Sequence, residues 1–167
     1  MGLEQPDEDV HTALDRTVNH LDQTLTGLQQ SLERDHSTTT DVREGLAKIS
    51  DAWLGIVEVT VTLSDLTQRR LTTSSTLSRA TVDIVSEAIS NATIHGAARR
   101  VDVVVEFFGE ELSIKVSDDG VGPPAEIKVG SGLAKISDTH TAWELSHNEP
   151  VGAVFRAVLP AASVDFG

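Results

Sequence analysis

The sequence has no cysteine in its 167 residues. A disulfide framework, a thiol nucleophile and a thiolate metal site are therefore excluded. Basic residues are also scarce: 13 Lys and Arg stand against 26 Asp and Glu, for a formal charge of −13. Such a balance argues against a nucleic-acid or anionic-membrane surface, although local backbone amides and a cation can still hold phosphates in an acidic protein. No apolar run reaches transmembrane length, and the acidic opening MGLEQPDEDV is unlike a signal peptide. These features fit a cytoplasmic protein. The 39% apolar content is enough to build one core, with length to spare for an appendage.

What is present is concentrated between Thr81 and Gly122. In TVDIVSEAISNATIHG the apolar residues Val82, Val85, Ala88, Ile89 and Ala92 recur at three- and four-residue spacing, which predicts a helix with one face in a core. Glu87, Asn91 and His95 are then stacked one turn apart on one ridge. An amide oxygen is a hard ligand suited to Mg²⁺, and a neighbouring carboxylate can orient or deprotonate a nucleophile. VDVVVEFF and ELSIKVSD, separated by Gly109-Glu110, read as an antiparallel hairpin. The second strand runs into Asp118-Asp119-Gly120-Val121-Gly122, where Asp118 can accept a hydrogen bond from an amino group such as that of adenine.

In order and spacing these pieces resemble the GHKL ATPase superfamily, which includes sensor histidine kinases and gyrase. EAISNATIHG resembles its N box, DDGVG its first glycine box, and GSGLA, from Gly130 to Ala134, its second. The resemblance implies ATP and Mg²⁺ as ligands, with Asn91 on the metal and Glu87 as the acid/base or polarising residue. It implies that Asp118 reads the adenine, while His95, Gly120, Gly122, Gly130, Ser131, Gly132 and Leu133 complete the nucleotide pocket and its lid. The Gly130-Ser131-Gly132 segment would open a helix whose free amides face phosphates. The fold implied is α+β: a two-layer α/β sandwich with a mixed, mainly antiparallel sheet of about five strands. The resemblance sets residues 41–167 as the catalytic domain and 1–40 as a helix and linker.

That first segment carries Leu14, Val18, Leu21, Leu25, Leu28 and Leu32 at intervals of 4, 3, 4, 3 and 4, a heptad seam that favours a homodimer. LDRTVNHLDQTLTGLQ resembles the second helix of the dimerisation hairpin in kinases paired with LuxR/NarL-type response regulators, especially the Dos-type redox and oxygen sensors. Such a regulator is the partner implied. The phosphoacceptor pair of that family, histidine followed by an acid, does not occur in this chain. His20 reads as a surface residue and His11 as an imidazole at a helix end. Two other classes stay open: an anti-sigma-factor-type serine kinase of the same superfamily, and a non-catalytic dimeric module.

Elsewhere, Val42, Leu46, Ile49 and Trp53 predict the inner face of a short helix capped by Thr40 or Asp41. IVEVTVTL alternates as a strand with Val57, Val59, Val61 and Leu63 on one side. Asp65 to Ser75 reads as a polar, irregular loop with a solvated Arg69-Arg70 pair, and Ser74 or Ser75 as the next helix cap. TAWELS and VGAVFRAVLP read as closing antiparallel strands, with Trp143, Leu145, Val154 and Phe155 as packing residues and His147 on the surface. Only KISDTH separates GSGLA from those strands, so the helix there is expected to be about one turn shorter than in the family.

Overall fold

The computed structural model describes residues 41–123 and 142–161. The heptad segment, the lid and GSGLA lie outside the described residues.

Helix α1 (Val42–Ala52) starts where Asp41 Oδ1 accepts the Arg43 amide at 2.9 Å, and it buries Val42, Leu46 and Ile49 on one face. Strand β1 (Glu58–Leu63) alternates half-buried Val59, Val61 and Leu63 with exposed Glu58, Thr60 and Thr62. Helix α2 (Asp65–Thr72) replaces the expected irregular loop. It escaped the periodic pattern because its buried residues are only Thr67 and Leu71. Its support is local: Ser64 Oγ accepts the Thr67 amide at 3.1 Å as a cap, and Asp65 and Arg69-Arg70 complement the dipole at opposite ends. Arg70 is not merely solvated. Its guanidinium lies 3.8 Å from the centroid of Phe107 and its Nη1 donates to Gly109 O at 2.9 Å, tying α2 to a hairpin tip.

Helix α3 (Ser75–Ile94) is capped by Ser74, whose Oγ accepts the Leu77 amide at 3.2 Å. The hairpin β2 (Arg100–Phe108) and β3 (Glu111–Asp118) follows, then β4 (Ala142–His147) and β5 (Ala153–Pro160). The five strands run in the order β1-β2-β3-β5-β4, with β1 parallel to β2 and the other pairs antiparallel. A parallel pair needs a long crossover, and α2 with α3 supplies it. One sheet face, carrying Val101, Val103, Val105, Leu112, Ile114, Val116, Ala157 and Leu159, forms a buried core with α1 and α3. The other face carries Asp102, Glu106 and Arg156 to solvent. A two-layer α/β sandwich with a mainly antiparallel sheet results, as the resemblance implies.

The register decides where the site lies. Pairs Glu58↔Arg100, Val101↔Asp118, Ser117↔Val154 and His147↔Ala153 place the starts of β1, β2 and β5 at the same end of the sheet as the ends of β3 and β4. The C-terminal end of α3 reaches that end too, because Val121 N donates to Gly96 O at 2.8 Å.

Candidate functional site

The buried stripe of α3, with Val82, Val85, Ile89 and Ala92, orients the helix so that Glu87 and Asn91 sit half-buried on its flank. Asn91 Nδ2 donates to Glu87 Oε1 at 3.1 Å. That bond orients the amide and leaves Asn91 Oδ1 as the acceptor available to a hard cation. His95, one turn on, is the exposed C-cap and does not line the cavity described below.

The helix ends in a tight reversal. Ala98 N donates back to Ala92 O at 3.0 Å, Gly96 N to Asn91 O at 3.1 Å, and Ala97 takes φ +50°. These bonds close open carbonyls at the helix end, and the left-handed position that the reversal needs, normally favourable to glycine, is taken by Ala97. The exposed Gly96 carbonyl then receives the glycine loop. A Cβ at Gly120 would collide with Gly96 O, so the first glycine of the loop is demanded by the protein's own backbone. Gly122, at φ +86°, lies where a Cβ would come 3.2 Å from Gly152 O and 3.3 Å from His147 Nδ1.

Asp118, 8% exposed, uses one carboxylate oxygen structurally. Its Oδ1 accepts the Gly120 amide at 2.8 Å and the Ala153 amide at 3.2 Å. No protein group bonds Oδ2 among the hydrogen bonds of the described residues, which leaves that oxygen for an external donor. Its backbone carbonyl accepts Asn148 Nδ2 at 2.9 Å. Asp119 has a different task. Its Oδ1 accepts the amides of Arg99 at 2.8 Å and Arg100 at 2.9 Å, and these two hydrogen bonds hold its carboxyl below the usual aspartate range. Arg99 and Arg100 thus contribute backbone donors, and the Arg100 side chain pairs with Glu58 at 3.5 Å.

Glu87, Ala88 and Asn91 from α3, Val116 and Asp118 from β3, Trp143 and Leu145 from β4 and Phe155 from β5 line one concavity. It is an open concavity of about 430 Å³, counting space open to solvent. Trp143 and Phe155 stack with centroids 6.2 Å apart and planes 26° apart, forming an apolar wall. The sequence predicts Trp143, Leu145 and Phe155 as packing residues. They are also cavity lining, because Leu145 pairs with Phe155 and Trp143 with Ala157 on the helix-facing side. Their alternation on β4 was visible in the sequence; the pairing that aims them at Glu87 and Asn91 was not. The geometry brings together Glu87, Asn91 and Asp118, with Gly120 and Gly122 behind Asp118, whereas Gly130, Ser131, Gly132 and Leu133 lie outside the described residues. Among the described residues no cluster of three or more His, Asp or Glu is arranged to hold a metal. A cation here would need oxygen ligands beyond the protein, as Mg²⁺ characteristically takes from phosphates and water. Asn91 Oδ1 fits that limited role.

No protein-family model and no curated protein sequence matches the chain. Solved structures do. The ATP-binding domain of PrrB from Mycobacterium tuberculosis matches with a TM-score of 0.54 at 21% identity, over 72% of this chain and 93% of that one. The blue-light activated histidine kinase EL346 of Erythrobacter litoralis matches with a TM-score of 0.56 at 18% identity, over 95% of this chain, which spans 64% of that kinase. The histidine kinase AdeS of Acinetobacter baumannii matches with a TM-score of 0.51 at 18% identity, over 96% and 88% of the two chains. The mixed five-stranded sheet backed by helices is the fold of the histidine kinase ATP-binding domain.

Proposed function

We propose that this chain is the Mg-ATP-binding catalytic domain of a two-component sensor histidine kinase. The carrying observation is the convergence of Glu87, Asn91 and Asp118 on one concavity with an aromatic wall. The adenine amino group would donate to Asp118 Oδ2, and the base would lie against the apolar lining of Val116, Trp143, Leu145 and Phe155. Asn91 Oδ1 would hold Mg²⁺ beside the phosphates. Bound Mg-ATP supplies the γ-phosphoryl group, and the chain supplies position and charge neutralisation. Glu87, half-buried beside Asn91, would orient the incoming imidazole and take its proton as the N–P bond forms and the bond from the γ-phosphorus to the departing ADP oxygen breaks. The acceptor histidine is not recognisable in this chain. The heptad segment 9–33 supports pairing of two chains, and its resemblance favours a LuxR/NarL-type regulator as the final phosphoryl acceptor.

Calorimetric titration with ATP, with and without Mg²⁺, tests the reading. Asn91→Ala is expected to weaken Mg-ATP by roughly tenfold or more while leaving Mg-free ADP within about twofold, as loss of one metal-linked contact of ~1.5–3 kcal/mol requires. A folded wild-type sample that binds no adenine nucleotide overturns the assignment.

A further inference from the structure

Strand β1 is an edge of the sheet: it pairs with β2 on one side, and among the described residues no strand pairs with the other. Edge strands of soluble proteins are normally blunted by lysine, proline or a bulge, because open N–H and C=O groups template pairing with another chain. EVTVTL has none of these charges or breaks apart from Glu58 at its first position. Its inner-face residues Val59, Val61 and Leu63 are only half-buried, although they extend the apolar face formed by Val101, Val103 and Val105. The missing neighbour would complete that face.

The strand is complementary to itself. In an antiparallel pair, residues directly opposite one another point to the same face. With a two-fold axis through Val61, Val61 meets Val61 and Val59 meets Leu63 on the inner face, while Thr60 meets Thr62 on the outer face. Glu58 meets Ser64, so no like charges oppose. Flanking the strand, Ile56 before it is 50% exposed and Leu66 after it, in the first turn of α2, is 72% exposed, so apolar surface lies open at both ends of the edge. Both are among the few large apolar residues that the described surface leaves open. A foreign peptide bound by strand addition is selected by pockets for alternate side chains. β1 offers instead its own complement.

We infer that β1 is a homotypic docking edge, through which two copies of this chain join their sheets into one continuous antiparallel-joined sheet centred on Val61. The interface is isologous and separate from the heptad seam of residues 9–33. It is also small, so association is weak and rises with concentration.

The absence of cysteine makes a clean test with the full chain. Val61→Cys places one thiol from each copy at the axis, within the Cα separation that a disulfide tolerates. Mild oxidation is expected to give covalent dimer at least roughly tenfold faster than for Glu106→Cys, on the solvent face of β2, because pairing raises the effective thiol concentration. Equal rates for the two variants overturn the inference. Should Val61→Cys fail to fold by circular dichroism, hydrogen exchange on the unsubstituted chain decides instead. Slower exchange in 58–63 at high than at low micromolar concentration supports the docking edge. Equal exchange at both, including strong protection at both by a segment of the same chain, overturns it.

Discussion

Under the proposed function Asp118 has two separable roles, and two substitutions pull them apart. Its Oδ1 accepts the buried amides of Gly120 and Ala153 at 2.8 and 3.2 Å, while Oδ2 is left for an external donor. Asp118→Ala strands both amides. At about 1–3 kcal/mol per buried unsatisfied donor, the loss is ~2–6 kcal/mol against a typical domain stability of ~5–15. Asp118→Asn keeps a carbonyl oxygen for both amides, each bond weakened by ~1 kcal/mol as the charge is lost. It nevertheless turns an NH₂ group toward the adenine amino group, so donor faces donor. The charge-assisted bond lost there is worth ~1.5–3 kcal/mol, or a roughly 10- to 150-fold rise in Kd for ADP. Urea unfolding and calorimetric ADP titration read the two quantities separately. The Asn variant should unfold nearer to wild type than the Ala variant yet bind ADP as poorly. An Asn variant that binds ADP within about twofold of wild type refutes the reading of adenine by Oδ2. An Ala variant as stable as the Asn variant refutes the role of the two amides.

Gly152→Ala should lower the thermal midpoint and weaken nucleotide together. Gly152 holds φ +106°, where a side chain costs ~1–3 kcal/mol, and its Cβ would run into the Asp118 carbonyl. Matched stability to wild type would refute the packing of that turn on Asp118. For Asp119, whose carboxyl is held below the usual aspartate range by the Arg100 and Arg99 amides, the folded state binds its proton less readily than the unfolded. Its contribution is therefore complete above about pH 4 and is lost as pH falls through the lowered folded value. Urea midpoints of wild type and Asp119→Asn should differ at neutral pH and converge below that value; a constant difference would contradict the assignment.

Much of the fold was legible because it rests on patterns that burial writes into sequence. The stripe of Val82, Val85, Ile89 and Ala92 and the alternation of β1, β2 and β3 announced their elements, and the caps at Asp41 and Ser74 fell among the expected residues. Helix α2 was not legible, since Thr67 and Leu71 alone cannot make a period and its formation depends on Ser64 and on packing beside α1 and α3. At the site, the ridge of Glu87 and Asn91 followed from helical spacing. The work of the glycines did not: Gly120 answers to Gly96 O, and Gly122 to a turn thirty residues further on, contacts that no local motif displays. Asp119, to which the sequence assigns no role, holds the start of β2. The aromatic wall needed the register of β4 on β5 before its direction could be known.

The bond from the Ala153 amide to Asp118 also bears on the order in which the molecule matures. A chain emerging from its N-terminus presents α1 through β3 first, with the outer edge of β3 unpaired and Asp118 lacking its later donor. Only when β5 inserts between β3 and β4 does Asn148 reach the Asp118 carbonyl, Gly152 seal the glycine loop, and Phe155 meet Trp143. The cavity lined by Trp143, Leu145 and Phe155 therefore exists only once residues 142–160 have been made and paired, and the proposed adenine binding would report completion of the sheet.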